Sequence, residues 1–323
     1  MNRTRAAMPA SDSRRVLLVT HPSRPDAAAV AAEFAVLLAN AGVVSAVPSD
    51  QVDMLRGAPV IDIGAFGGGS HGDHTALQAA GIELVVVLGG DGTILWGAEM
   101  ARAAGVPLLG LNLGHVGFLA EAEQEGLTEV ATAVAARAYR VEERLAIDVE
   151  VHDRSGARTF ASWALNEASI EKDSGTRMID ILVSIDEHPL SRWGTDGLVL
   201  ATPTGSTAYA WSAGGPVVWP DVEALLVVPN AAHALFTRPL VIAPSSTIRV
   251  ELIDRRAQRA HVWCDGRRHA ALAAGATVTV RRSTAPVLLA RLRSPAFVAR
   301  LVGKFDLPVQ GWRHTERDRG QQS

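Results

Sequence analysis

The stretch VVVLGGDGTIL, residues 85–95, runs an apolar segment straight into two glycines, an aspartate, a third glycine and a threonine. Its uninterrupted Val/Leu run reads as a strand buried on both faces, the kind found in parallel sheets. Residues 94–104 behind the glycines read as a helix stopped at Gly105. A strand, a glycine-rich turn and a helix in that order leave unpaired backbone N–H groups at the positive end of the helix, where phosphate binds. Gly89, Gly90 and Gly92 let the main chain approach such an anion with no Cβ in the way. Thr93 caps the helix or donates to a phosphate oxygen. Asp91 is the odd member, because a carboxylate repels phosphates. Three roles are open to it: taking a proton from an attacking hydroxyl, worth about 10²–10⁴ in rate; holding a Mg²⁺ ion that neutralises phosphates; or simply capping a tight turn.

Outward from this stretch, the first 140 residues alternate strand-like and helix-like segments. Strands are expected at 16–20, 43–47, 82–88 and 107–113, and helices at 26–40, 94–104 and 127–138. This alternation predicts an α/β N-terminal domain with a mainly parallel sheet. From about residue 145 short β-rich runs take over, at 145–151, 159–165, 178–185, 198–201, 240–242, 247–253 and 276–281, separated by turn material such as DRSG and DEHP. They predict a mainly antiparallel, all-β C-terminal domain. A final helix at 295–305 is expected to return to the first domain. The expected organisation is a basic tail over 1–14, an α/β phosphate-donor domain over 15–140, a β-rich domain over 141–294 and a C-terminal helix and tail over 295–323.

Composition narrows the class. A chain of 323 residues has room for two domains with real cores. With 48% apolar and 20% charged residues it is globular, and a net charge of −3 gives no reason to expect a polyanion such as nucleic acid as partner. Cys264 is the one cysteine, so no internal disulfide forms. The longest uncharged run, 197–220, is broken by Pro203, Pro216 and several glycines and is no membrane span. The four arginines among the first fifteen residues lack an apolar signal core, so a cytoplasmic location is expected.

A competing fingerprint lies upstream. Gly67, Gly69 and Gly72 match G-x-G-x-x-G after the apolar PVIDI, with Asp91 about 20 residues on, as a dinucleotide site requires. Loop residues separate these glycines from the strand, and the helix that follows is short, so a surface loop is the better reading. His71 and His74 flank Asp73 in that loop and offer a metal-ligand pattern that solvation explains equally well. Neither G-x-x-x-x-G-K-[ST] nor an H-R-D with D-F-G occurs, which excludes the P-loop and protein-kinase designs.

Two stretches stand out in the β half. ALNEASI sets Asn166 beside Glu167, an amide able to pair with a base edge and a carboxylate able to accept from two ribose hydroxyls. DGLVLATPTGSTAYAWSAGGP, residues 196–216, packs Thr202, Thr204, Ser206, Thr207, Tyr209 and Ser212 around Gly205. A loop so rich in hydroxyls and bent by glycine suits a sugar or nucleotide, with Tyr209 offering a ring face and a donor.

Taken together, GGDGT at 89–93, NLGHVGFL at 112–119, NE at 166–167 and DGLVLATPTGSTAYAWSAGGPVVWP at 196–220 resemble the NAD kinase family. RPLVIAPSSTI and CDGR extend the likeness, which runs from residue 15 to 312. GGDGT alone is shared with diacylglycerol, sphingosine and phosphofructo-kinases, whereas the TPTGSTAY…SAGGP stretch is far more specific. The resemblance implies transfer of the terminal phosphoryl group of ATP, or of inorganic polyphosphate in some members, to the 2′-hydroxyl of the adenosine ribose of NAD. It implies that Asp91 is the proton acceptor, that Gly89, Gly90, Gly92 and Thr93 hold the donor, and that Asp91 and Gly92 also meet NAD. Asn166 and Glu167 are implied to hold the adenosine portion, and Thr207, Ala208, Tyr209 and Ser212 to contact NAD. Asp196 matches an aspartate that reaches the nicotinamide half, often in a neighbouring subunit's site, and Arg177 a variable contact position. Mg²⁺ and a homodimer or homotetramer come with the family. Gly194 stands where some relatives carry an arginine, and Arg267 where many carry a glutamine. Two other readings stay open from the residues: a GGDGT-type kinase acting on a lipid or sugar phosphate, and a dinucleotide-binding regulator without turnover.

Overall fold

The computed structural model describes residues 14–21, 24–64, 77–78, 80–112, 117–120, 126–175, 177–253, 259–292 and 297–309. Residues 1–13 of the basic tail and the 65–76 loop, with its glycine fingerprint and histidines, lie outside the described residues. The chain divides into two compact units, one running up to Glu142 and resuming at Leu288, the other spanning Glu143–Val287.

In the first unit, strands β1 (Arg15–Thr20), β2 (Val44–Val47), β3 (Val60–Asp62), β4 (Ile82–Leu88), β5 (Leu108–Leu111) and β6 (Arg140–Arg144) are joined by a strand from the far end of the sequence, β19 (Val287–Arg291). The sheet order is β3-β2-β1-β4-β5-β19-β6, and every pairing from β3 to β19 is parallel. Helices α1 (Pro25–Asn40), α2 (Asp91–Ala104) and α3 (Leu127–Ala135) belong to this unit. Proline at the start of α1 costs no hydrogen bond there, and Val30, Phe34 and Leu38 along its buried face meet Val16, Leu18 and Leu84 of the sheet in one core. Helix α2 ends at Gly105, whose left-handed φ of 70° closes the last turn as glycine does best. A helix α5 (Phe297–Phe305) near the C-terminus packs in this same unit through Phe118.

The second unit is a β-sandwich. Its strands are β7 (Ile147–His152), β8 (Arg158–Ala164), β9 (Glu167–Lys172), β10 (Ile179–Ile185), β11 (His188–Thr195), β12 (Gly197–Ala201), β13 (Leu225–Asn230), β14 (Leu240–Ile242), β15 (Ile248–Leu252), β16 (Ala260–Cys264), β17 (Arg268–Leu272) and β18 (Thr277–Arg282). They form two antiparallel six-stranded sheets, β11-β10-β15-β18-β7-β8 and β14-β13-β12-β9-β16-β17. Inward residues from both sheets, among them Val149, Ile181, Trp193, Val250, Ile170, Leu200 and Val262, make one apolar core between them. The fold class expected from the sequence is the one observed. Strands β6, β9, β11, β13, β16, β17 and β19 had no counterpart in the sequence reading. Among the described residues no helix is long and apolar enough to cross a membrane.

Candidate active site

The GGDGT turn sits at the C-terminal end of β4, whose parallel neighbour is β1. From β1 the chain proceeds to β2 and β3 on one side, and from β4 to β5 on the other. The strand order therefore reverses between β1 and β4, which is where doubly wound sheets bind their ligands. Gly90, extended at φ −80° and ψ −179°, is the N-cap of α2, and Asp91 is its first residue. The helix starts three residues earlier than its apolar periodicity indicates, because the N–H groups of Thr93 and Ile94 both reach the Gly90 carbonyl, at 2.9 and 3.0 Å. Thr93 does not cap it: its side chain is buried against Gly89, where an added Cβ would lie 2.8 Å from Thr93 Oγ1. None of the three glycines has a positive φ. Gly90 and Gly92 are exposed, and a Cβ on either would meet nothing within 4 Å among the described residues. What they provide is open space over the helix end, not an unusual backbone.

Among the described residues the Asp91 carboxylate is held by main-chain donors. Oδ2 accepts from the Phe118 N–H at 3.2 Å and Oδ1 from the Leu119 N–H at 3.3 Å. Each oxygen keeps a further lone pair for a ligand. A Cβ at Gly117 would stand 2.5 Å from Oδ1, so a larger residue there would push this carboxylate aside.

In the sandwich unit, Glu167 opens strand β9 and Asn166 lies in the bend just before it. It is fixed by a residue 100 positions away. Asp265, wholly buried, accepts from the N–H groups of Leu165 at 2.9 Å and Asn166 at 2.7 Å, while its own N–H donates to the Glu167 carbonyl at 3.0 Å. Arg268 neutralises it at 2.7 Å and lies over the Trp163 ring, 4.4 Å from its centroid. Even so, burial pushes the Asp265 carboxyl upward from its ordinary pKa. Burial first, and the Asp265 charge second, push the Glu167 carboxyl up to about 8, against a hydrogen bond from the Tyr209 backbone. Among the described residues Glu167 Oε2 is buried with no hydrogen-bond partner. The Asn166 amide makes no hydrogen bond among the described residues.

The hydroxyl-rich loop divides into two kinds of residue. Thr202 Oγ1 donates to the Leu165 carbonyl at 2.5 Å, and the Ser206 hydroxyl bonds both the N–H and the carbonyl of Val218. These two hydroxyls are fully buried and serve the fold, so they are not ligand donors as the sequence suggested. Gly205 is packed so closely that a Cβ would lie 2.0 Å from the Asn166 carbonyl oxygen. Thr204–Thr207 is a 3₁₀ turn, and Tyr209–Ser212 a single helical turn, α4, with Ala208 as its N-cap. Thr207, Ala208 and Tyr209 are half-buried. The Tyr209 hydroxyl accepts from Asn230 Nδ2 at 3.2 Å, and the Asn230 carbonyl accepts from Thr195 Oγ1 at 2.6 Å and the Asp196 N–H at 3.2 Å. Asp196 pairs with Lys172 at 2.7 Å, and Lys172 also donates to the Arg177 carbonyl at 3.0 Å. One chain of contacts thus joins Glu167, Tyr209, Asp196 and Arg177. Ser212 lies exposed at the end of α4, apart from that chain. Asp265, Asn230 and Lys172 escaped sequence reasoning. The Asp-Gly at 265–266, a hairpin signal with φ values of 52° and 65°, is the local clue to the first.

A doubly wound sheet with a glycine-rich, carboxylate-bearing turn at its switch point, followed by a β-sandwich with an open polar acceptor, defines a two-domain phosphotransferase. The profile for the ATP-NAD kinase N-terminal domain matches residues 16–139, and that for the ATP-NAD kinase C-terminal domain residues 165–292. The NAD kinase of Thermobifida fusca is 51% identical over 95% of this chain and 94% of its own, and NAD kinase 2 of Streptomyces coelicolor 50% identical over 93% and 97%. Among solved structures, yeast NADH kinase complexed with NADH superposes with a TM-score of 0.79 at 23% identity over 92% of this chain and 89% of its own, a likeness of fold. An NAD kinase from Archaeoglobus fulgidus in complex with ATP gives 0.65 at 25% identity over 90% and 98%. The chain belongs to the NAD kinase family.

Proposed function

We propose that this chain carries out its family's reaction, phosphorylation of NAD to NADP with ATP, and that Asp91 takes the proton from the attacking 2′-hydroxyl of the adenosine ribose. The observation that carries this reading is the Asp91 carboxylate, fixed by two main-chain donors at a helix start whose glycines leave the space above them open. A ribose hydroxyl is a weak nucleophile at neutral pH, and a positioned carboxylate removes that handicap. As the proton passes to Asp91, the ribose oxygen bonds to the terminal phosphorus, the bond to the bridging oxygen breaks, and ADP leaves with the electron pair. Gly89, Gly90, Gly92 and Thr93 form the helix end that would hold the donor phosphates.

Asn166 and Glu167 would bind the adenosine portion, Glu167 Oε2 being a buried polar atom that lacks a partner among the described residues. Thr207, Ala208, Tyr209 and Ser212 would contact NAD, with Arg177 and Asp196 toward the nicotinamide half. Mg²⁺ fits this design as a companion of the donor. Among the described residues no three His, Cys, Asp or Glu side chains gather to cage a metal. Mg²⁺ needs only substrate phosphates, water and one or two carboxylates, and Asp91 stands nearest the donor site. When bound, the ion neutralises phosphate charge. A homodimer or homotetramer belongs to the same reading, motivated by Trp211, Trp219, Leu235 and Phe236, large apolar side chains exposed on the sandwich unit.

The test is an NADP assay on purified protein with NAD, Mg²⁺ and either ATP or polyphosphate. NADP should form with ATP, and the polyphosphate arm reads the alternative donor. Asp91→Asn should lower the rate by about 10²–10⁴ while calorimetry still registers NAD binding. Unchanged NADP formation in that variant removes Asp91 from the base role.

A further inference from the structure

We propose that Arg300, assisted by Arg291, positions Asp91 through the peptide groups of Phe118 and Leu119, so that the C-terminal helix serves catalysis without touching substrate. The inference rests on the assignment of Asp91 as proton acceptor. Residues 117–120 form an irregular stretch whose N–H groups at 118 and 119 hold the two Asp91 oxygens. Its carbonyls are held from elsewhere. Arg300 of α5 donates through Nη1 to the Phe118 carbonyl at 2.5 Å, and Arg291 at the end of β19 donates through Nη1 to the Leu119 carbonyl at 3.2 Å.

The Phe118 carbonyl and the Leu119 N–H belong to one planar peptide group. A guanidinium fixed to that oxygen therefore fixes the direction of the N–H that meets Asp91 Oδ1. It also polarises the peptide and strengthens the second hydrogen bond, as charge-assisted donors do in partly buried surroundings. Two further contacts limit motion of this group. The Phe118 ring lies between Phe297 and Phe305 of α5, with centroids 5.9 and 5.8 Å away and tilted planes. Arg291 is almost wholly buried and anchored to Glu142 at 2.9 Å. The acid is thus aimed by a frame whose outer members come from the last quarter of the chain. Arg300 and Arg291 are positioning residues, since neither contacts Asp91 itself.

The experiment compares Arg300→Gln, Arg300→Lys and Asp91→Asn, alone and combined, in the full chain by NADP formation with ATP and Mg²⁺. Arg300→Gln should lower kcat about ten-fold, leave KM for NAD and ATP within about two-fold, and melt with the parent. Arg300→Lys, which can still donate to one carbonyl, should recover most of the rate. In the Asp91→Asn background, Arg300→Gln should cost nothing more, because the group it aims has gone. A parental kcat in Arg300→Gln, a loss confined to KM, or the same fold-loss with and without Asp91 overturns the proposal. Asp91→Asn at the parental rate overturns the underlying assignment instead. If Arg300→Gln does not fold, Phe305→Leu, which removes one ring contact with Phe118, replaces it with the same expected pattern and the same overturning results.

Discussion

Glu167 begins β9 with a carboxyl held near a pKa of 8, while in the unfolded chain it titrates near 4.5. The folded state thus keeps a proton, between those two values, that the unfolded chain has released. Stability from this group is greatest at low pH, falls as pH rises through that window, and is level above 8. Glu167→Gln removes the titration, so thermal melts from pH 5 to 8 should fall less steeply than in the parent. An unchanged slope would assign the pH dependence to other groups. Asp91 draws attention in the sequence through the glycine-rich string around it, whereas Asn-Glu is a commonplace dipeptide and Glu167 gains its proposed role from the family resemblance. Asp265 draws none, since what gives it meaning is a contact spanning 100 residues, and spacing carries no trace of that. Thr202 and Ser206 misled for the opposite reason: a hydroxyl looks the same in sequence whether it faces a ligand or a buried carbonyl. Cys264, its thiol pushed up to about 12 chiefly by burial, is no nucleophile.

At the scale of elements, the strands with unbroken Val/Leu runs or clean alternation were legible, and β4 was read with its observed bounds. Those missed are short or mixed. β9 reads EASIEK, with a Glu at its start and another near its end, and becomes a strand because β12 and β16 pair with it on both sides. Its junction with the 3₁₀ turn at Thr204 depends on a close approach of main chain to main chain at Gly205. Gly205→Ala would drive a methyl group into the Asn166 carbonyl, with backbone on both sides and no flexible side chain to yield. The expected loss is about 3 kcal/mol or more, read by urea unfolding. A loss under about 1 kcal/mol would mean that the turn relaxes and that the Asn166 position is less constrained than its contacts indicate.

The whole molecule is assembled in an order that its sequence does not follow. The sandwich is continuous, from Glu143 to Val287, whereas the N-terminal unit is completed only by the segment from Leu288 onward. β19 shows no sign of this as a sequence, because a four-residue apolar run before Arg291 says nothing about which sheet takes it in. Residues 143–287 expressed alone should give a soluble β-rich fold by circular dichroism, having their own core. Residues 1–142 alone should aggregate, since β5 keeps β4 but loses its other parallel neighbour, β19, and exposes an apolar edge. A stable, monomeric 1–142 fragment would show that the returning strand is dispensable.

Because the closing strand and its helix follow the sandwich in the chain, a ribosome making this protein releases the sandwich segment before the sheet that carries Asp91 can be sealed. The acid and the arginines that aim it, Arg291 and Arg300, are separated by 200 and 209 residues of a 323-residue chain. A nascent or prematurely terminated product would therefore bear the glycine turn in a sheet still missing its last strand and helix, incapable of turnover until the tail has docked.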